Sequence, residues 1–180
     1  MKLRLKTSAR NSRIRGPRAG IENDRPITGP YGVNREGSGD MYYKGASMLH
    51  TIRQVVDDDE RWRAILRGIN SEFRHQVVTA EQVQAYMSRQ AGRDLGRIFA
   101  QYLTTTRIPV LEYRLAGDTL SYRWTDEVPG FDMPVRVELS PGRYALLNPT
   151  EAWQTTAHRF GQSGTLVVDP DFYVTARRVD

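Results

Sequence analysis

The 180-residue chain contains no cysteine, so it can form no disulfide and bind no metal through a thiolate. A metal ion would have to be held by its three histidines and its carboxylates. No window approaches the roughly 18 to 20 consecutive apolar residues that span a bilayer, which excludes a membrane-embedded helix. A glycine-rich phosphate loop and a nucleophile elbow are also absent, so phosphoryl transfer and serine hydrolysis have no support.

Acidic residues are missing from the first twenty positions, whereas basic residues are frequent there. The whole chain has 26 basic and 21 acidic residues and a net charge of +5, so residues 21–180 alone carry −2. We predict that residues 1–20 are a disordered basic tail, and nucleic-acid binding is not expected. The tail lacks the apolar core of a secretory signal and only loosely resembles a transit peptide, so the compartment stays open.

Residues 21–106 are predicted to form a helical subdomain, because apolar residues recur at helical spacing from position 41 onwards. Four helices are expected, each introduced by a capping residue or an acidic run. These signals are Asp40 or Ser38, the run 57–60, Thr79 with Gln82, and Asp94. Gly92 is expected to end the third helix.

The hydrophobic period changes from 3.6 to 2 near residue 107. Short alternating segments separated by turn signals predict about seven strands over residues 107–180. The expected fold class is therefore α+β, a small helical subdomain followed by an antiparallel β-sandwich. Aromatic residues of this second half, such as Trp124 and Trp153, are expected in the core or at the edge, with a binding surface as the less favoured alternative.

The segment Met41-Tyr42-Tyr43-Lys44-Gly45-Ala46 opens the first predicted helix. Here the sequence resembles the aminopeptidase N family of zinc metallopeptidases, which includes leukotriene hydrolase and in which a Tyr-x-Lys-Gly motif begins a helix beside the zinc. The resemblance extends over residues 21–115, through Gly92-Arg93-Asp94-Leu95 to Ile108-Pro109-Val110-Leu111. It implies the end of the helical part of a catalytic domain and a following β-sandwich, with zinc as the parent family's cofactor and peptides as its substrates.

The resemblance implies a catalytic role for Tyr42, although a tyrosine at a helix start, taken alone, indicates packing. When zinc-activated water attacks a peptide carbonyl, negative charge develops on the oxygen, and a neutral phenol with a pKa near 10 can donate a hydrogen bond to it. Tyr43 occupies the variable position of the motif and is assigned packing only. A structural hydrogen bond or a solvated side chain is favoured for Lys44 over a substrate anchor, and Gly45 is expected to allow a close helix approach.

The zinc ligands of that family are missing from this sequence. The family binds zinc through His-Glu-x-x-His and a later glutamate, and grips the substrate's amino group with a Gly-x-Met-Glu-Asn loop. Neither motif occurs here, and His50, His75 and His158 are far apart. No metal ligand is therefore assigned. Since both motifs precede the tyrosine in relatives, the chain is expected to begin after them.

We accordingly expect a C-terminal fragment of a zinc-dependent aminopeptidase that contributes Tyr42 as an oxyanion-stabilising residue. Alone, it is expected neither to bind catalytic zinc nor to hydrolyse peptides, and its partner would be the missing N-terminal zinc-binding subdomain. The alternative is a non-catalytic peptide- or protein-binding module derived from a peptidase. A third hypothesis, nucleic-acid binding through the basic tail, is the least favoured of the three.

Overall fold

The computed structural model describes residues 13, 15–35, 37–140, 142–157 and 166–180. Within them, four α-helices precede seven β-strands, which confirms the predicted α+β class. The helices are α1 (Tyr43–Val56), α2 (Asp59–Glu72), α3 (Ala80–Ala91) and α4 (Gly96–Thr104). None of these described helices combines the length and hydropathy needed to cross a membrane.

The described strands form two sheets in which most neighbours are antiparallel. Sheet A has the order β5-β2-β1-β7 and sheet B the order β4-β3-β6. The parallel β1–β7 pair was not predicted, because a parallel neighbour needs a long connection and leaves no turn signal of its own. The strands are β1 (Val110–Ala116), β2 (Thr119–Thr125), β3 (Val135–Ser140), β4 (Arg143–Leu147), β5 (Gln154–Ala157), β6 (Val167–Val168) and β7 (Thr175–Arg178).

Local capping chemistry explains where the helices begin and end. Helix α3 starts with the predicted capping box of Thr79 and Gln82 and is followed by Gly92 in the left-handed conformation, with φ of 69°. Helix α2 begins inside the acidic run rather than after it. The Asp58 carboxylate accepts hydrogen bonds from the first backbone N–H groups of that helix, so the next two acidic residues lie in its first turn.

One continuous apolar core joins the helices to both sheets. Its largest members with almost no exposed surface include Ile52, Ile65 and Tyr102 from the helices and Leu111 and Trp124 from sheet A. The division into domains at residue 107 stays a prediction. The shared core means that the position of the helices is set by the sheets beneath them.

Buried polar contacts fix the same junction. The amide of Gln101 donates to the carbonyls of Arg107 and Asp126 and accepts from the backbone N–H of Val128. The Tyr102 hydroxyl donates to the Tyr173 carbonyl at 2.6 Å. Because these partners lie on both sides of the helix-to-strand transition, loss of either side chain would leave buried groups unpaired.

The N-terminal segment differs from its prediction in the part that can be described. Residues 1–12 and 14 of the predicted basic tail lie outside the described residues, but Gly16–Gly20 form a 3₁₀ helix. Arg18 donates from Nε to the Ser47 hydroxyl and from its terminal nitrogens to three backbone carbonyls, those of residues 170–172. Its guanidinium also lies 5.3 Å from the centre of the Tyr173 ring. Composition predicted a solvated arginine, whereas tertiary contacts supply acceptors that no local pattern reveals.

Replacement of Arg18 by alanine tests how much these hydrogen bonds stabilise the fold. Loss of its hydrogen bonds is expected to lower the free energy of unfolding by about 1 to 3 kcal/mol, measured by urea denaturation. Arg25→Ala is the matched control, because Arg25 is exposed and, among the described residues, its side chain has one ion pair, with Asp24 at 3.6 Å. The control should change stability by less than about 0.5 kcal/mol. Equal stabilities of the two variants would show that the Arg18 hydrogen bonds do not stabilise the fold.

The approach of α2 to α3 depends on a glycine. A Cβ atom at Gly68 would lie 1.8 Å from the Tyr86 hydroxyl, whereas one at Gly45 would meet nothing within 4 Å. Both substitutions to alanine gain similar helix propensity, so their difference isolates the steric effect. We expect Gly68→Ala to be less stable than Gly45→Ala by about 1 to 3 kcal/mol in thermal or urea unfolding. A Gly68→Ala protein as stable as the control would show that Tyr86 moves without penalty.

Candidate functional site

Tyr42 lies at the start of α1, directly after a 3₁₀ turn of Gly39–Met41. Ser38 caps this turn by accepting a hydrogen bond from the backbone N–H of Asp40. Asp40 itself is buried and has another role, since its carboxylate accepts from the backbone N–H groups of Glu22 and Asn23 at 3.0 and 2.6 Å. The preceding chain segment is thereby held against the start of the helix.

Lys44 anchors the other side of Tyr42. Its side chain is fully buried, and Nζ donates to the carbonyl of Thr105, just beyond α4, at 2.7 Å. Desolvation lowers the pKa of Lys44, and the nearby Asp40 charge acts in the opposite direction. The structural hydrogen bond expected for this lysine is confirmed. A substrate could not reach an ammonium group in this position.

Tyr42 is 74% exposed, and its hydroxyl makes no hydrogen bond within the described part of the chain. Two tyrosine hydroxyls are instead engaged in the fold: Tyr102 donates to a backbone carbonyl, and Tyr173 accepts from the Asn23 side chain. Burial raises the pKa of Tyr102, so that hydroxyl remains a protonated structural donor. Tyr42 therefore combines a fixed backbone with a hydroxyl that is available to a ligand.

The exposed side of α1 is apolar over the first two turns of the helix, which is unusual for a surface facing water. Exposed residues recur at positions 42, 46 and 49, whereas Met48 and Ile52 on the opposite side are buried. A contiguous apolar patch exposed in this way is typical of a surface that contacts other protein. We call this surface the Tyr42 face, and it consists of Met41, Tyr42, Tyr43, Gly45, Ala46 and Leu49.

The composition of the Tyr42 face is that of an interface. Aromatic residues and methionine are enriched at the cores of protein interfaces and charged residues are depleted, and this surface has no charged member. The predicted close helix approach at Gly45 is wrong for the described residues, because a Cβ atom there would meet nothing within 4 Å. The missing side chain instead leaves an open space one turn from Tyr42.

The histidines do not form a metal centre in the part of the chain that can be described. Nε2 of His50 is buried and lies 3.4 Å from Asp171 Oδ1. His75 is exposed and accepts a hydrogen bond from the neighbouring Arg74, and His158 lies outside the described residues. No group of three histidine or carboxylate side chains among the described residues could hold a metal ion. These residues therefore do not fit the zinc site of the family that the sequence resembles.

Comparison with known proteins supports the fold but no family assignment. No protein-family profile matches the chain, and neither does any curated protein. Among solved structures, it is similar to the crystal structure of Legionella pneumophila aminopeptidase A in complex with aspartic acid, with a TM-score of 0.58 and 14% identity. The similarity covers 87% of this chain and 20% of that one, so this chain spans about a fifth of that protein's length. At this identity it shows an aminopeptidase-like fold and does not distinguish the aminopeptidase N family.

Paired tyrosine substitutions separate an available hydroxyl from a structural one. Tyr42→Phe should change the free energy of unfolding by less than about 0.5 kcal/mol, because no described group loses a partner. Tyr102→Phe should lower it by about 1 to 3 kcal/mol, because the Tyr173 carbonyl then loses a buried donor. Urea denaturation of both variants provides the measurement. Destabilisation by Tyr42→Phe as large as that by Tyr102→Phe would assign the Tyr42 hydroxyl to the fold rather than to a ligand.

Proposed function

We propose that this chain forms the oxyanion-binding wall of a zinc-dependent aminopeptidase, with Tyr42 as the hydrogen-bond donor. The observation that carries the proposal is the exposed phenol at a helix start, which makes no hydrogen bond to another described residue and is surrounded by an uncharged apolar surface. Its position in the Tyr-x-Lys-Gly motif and the aminopeptidase-like fold both support this function.

The anchors on either side of Tyr42 suit it to transition-state stabilisation. Asp40 holds the preceding segment, and Lys44 ties the first turn of α1 to the end of α4. A donor whose backbone is fixed needs little reorganisation when charge develops on a carbonyl oxygen. In this proposal the Tyr42 hydroxyl donates to the oxyanion of the tetrahedral intermediate and keeps its proton throughout. Loss of such a donor typically costs about 2.7 to 4 kcal/mol of barrier.

The metal and the activation of water are assigned to a different polypeptide segment, because the described residues do not fit a zinc site. The Tyr42 face is the surface proposed to contact that zinc-binding subdomain. Contact would cover the exposed apolar side of α1 and lower the local dielectric around the phenol, which strengthens a hydrogen bond to an oxyanion. The peptide substrate would then bind between the two parts, in the open space beside Gly45.

The proposal is tested on the protein as it occurs in its native cells. A tagged chain should be retrieved with a polypeptide region that contains His-Glu-x-x-His, and the complex should hydrolyse an aminoacyl-anilide in a chelator-sensitive way. Tyr42→Phe should lower kcat about 100- to 1000-fold with a small change in KM, because the lost bond forms in the transition state. Tyr31→Phe is the matched control: Tyr31 is fully exposed and lies outside the Tyr42 face, and the activity of this variant should stay within about twofold of the unsubstituted protein.

Two outcomes would contradict the proposal. One is the absence of chelator-sensitive hydrolysis from every complex that contains the chain, which would favour the non-catalytic binding module. The other is an active complex in which Tyr42→Phe and Tyr31→Phe behave alike, which would leave the proposed peptidase activity in place and remove Tyr42 from the chemistry. Thermal unfolding of each variant checks that neither result reflects loss of the fold.

A further inference from the structure

The outer face of sheet A carries a row of charged side chains in register. Glu112 of β1 lies opposite Arg123 of β2 and also opposite Arg177 of β7. Arg114 follows two residues along β1, on the same face. Trp153 immediately precedes β5, the strand that borders β2 on its other side. We call this surface the arginine face, defined by Arg114, Arg123, Arg177 and Trp153.

Both carboxylate oxygens of Glu112 accept hydrogen bonds from two of these arginines. Arg123 donates from Nε and Nη2 to Oε2 at 2.9 and 2.8 Å, and Arg177 donates from Nε and Nη2 to Oε1 at 3.1 and 2.6 Å. Hydrogen bonds from Arg123, and then from Arg177, hold the pKa of Glu112 below its usual value, although burial opposes them. A guanidinium has five N–H donors, so each of the two arginines keeps donors that Glu112 does not use.

Trp153 holds two guanidinium groups beside its ring. The Cζ atoms of Arg114 and Arg123 lie 4.4 and 4.7 Å from the ring centre. Stacking of a guanidinium on an aromatic ring uses its flat face and leaves its N–H edge available for an oxyanion. Arg114 is exposed and has no ion pair with another described residue. With Glu112 counted, the charged side chains of this face sum to +2.

The spacing of the arginines fits an extended ligand. Neighbouring strands lie about 4.8 Å apart and residues two positions apart on a strand about 6.6 Å, so the backbones at Arg177 and Arg114 are separated by roughly 8 Å. Alternate side chains of an extended peptide are separated by a similar distance, about 6.6 Å. Carboxylates at alternate positions could therefore reach the fork of Arg114, which suits bidentate recognition, and the Arg177 donors that Glu112 does not use.

We propose that the arginine face binds an extended, carboxylate-rich segment of a partner protein. A nucleic acid fits less well, because its phosphates repeat along the whole strand, whereas the arginine face offers positive charge at only three side chains. The arginine face shares no residue with the Tyr42 face. Binding at the arginine face therefore does not depend on the proposed peptidase function.

The test uses the full chain and a fluorescein-labelled peptide of alternating glutamate and threonine, with fluorescence anisotropy at about 20 mM salt, where screening is weak. Arg114→Gln is expected to weaken binding about tenfold, since it removes a charge-assisted fork. Arg143→Gln removes the same charge from an exposed position on β4 of sheet B and should change affinity by less than about twofold. Both variants keep residues 1–20, so any attraction of the basic tail for the peptide is common to them.

Tryptophan emission provides a second readout on the same samples. Peptide binding should alter the emission of the unsubstituted chain, and Trp153→Leu should remove most of that change while Trp62 and Trp124 remain. Equal affinity of the Arg114→Gln and Arg143→Gln proteins, or no binding of the peptide, would overturn the proposal. Tighter binding of a DNA oligonucleotide of equal charge that also depends on Arg114 would overturn the choice of a protein partner. Thermal unfolding confirms that the variants fold.

Discussion

The Lys44 ammonium lies out of contact with water at a place where the Thr105 carbonyl is its acceptor, at 2.7 Å. Removal of an ammonium from water costs several kcal/mol, so arrangements that do not supply this acceptor are strongly disfavoured. The start of α1 is thus fixed relative to the end of α4, and α4 is fixed in turn, through Gln101 and Tyr102, to the segments that flank the strands of sheet A. The orientation of Tyr42 follows from this chain of contacts.

The tyrosines of this region show how the same side chain serves two purposes. At Tyr102 the ring fills the core and the hydroxyl satisfies a carbonyl, so the phenol is part of the fold. At Tyr42 the backbone is held by its neighbours, while the phenol faces outwards and binds nothing within the described chain. A residue that is fixed at its backbone and free at its functional group has the properties required of a preorganised donor.

Periodicity and capping chemistry were sufficient to predict the fold class, the four helices and the change to strands. Those signals are local: Thr79 and Gln82 form their capping box within one turn, and Gly92 ends α3 through its own φ. The contacts that position the candidate site were not predictable in the same way. The carboxylate of Asp40 meets backbone groups of residues 22 and 23, and Arg18 meets carbonyls about 150 residues away. Nor does any sequence pattern near Arg114 indicate that Trp153 lies beside it.

The Tyr42 face and the arginine face depend on different forces for binding. The Tyr42 face has no charged member, so its association with another protein would be driven by burial of apolar area and would be insensitive to salt. The arginine face carries excess positive charge, and added salt would weaken its attraction to carboxylates because the screening length shortens from about 30 Å at 0.01 M to about 3 Å at 1 M. Salt concentration therefore separates the two kinds of binding on one molecule. A complex that persists at high salt would involve the α1 surface, whereas one that dissociates as salt is added would involve the outer face of sheet A.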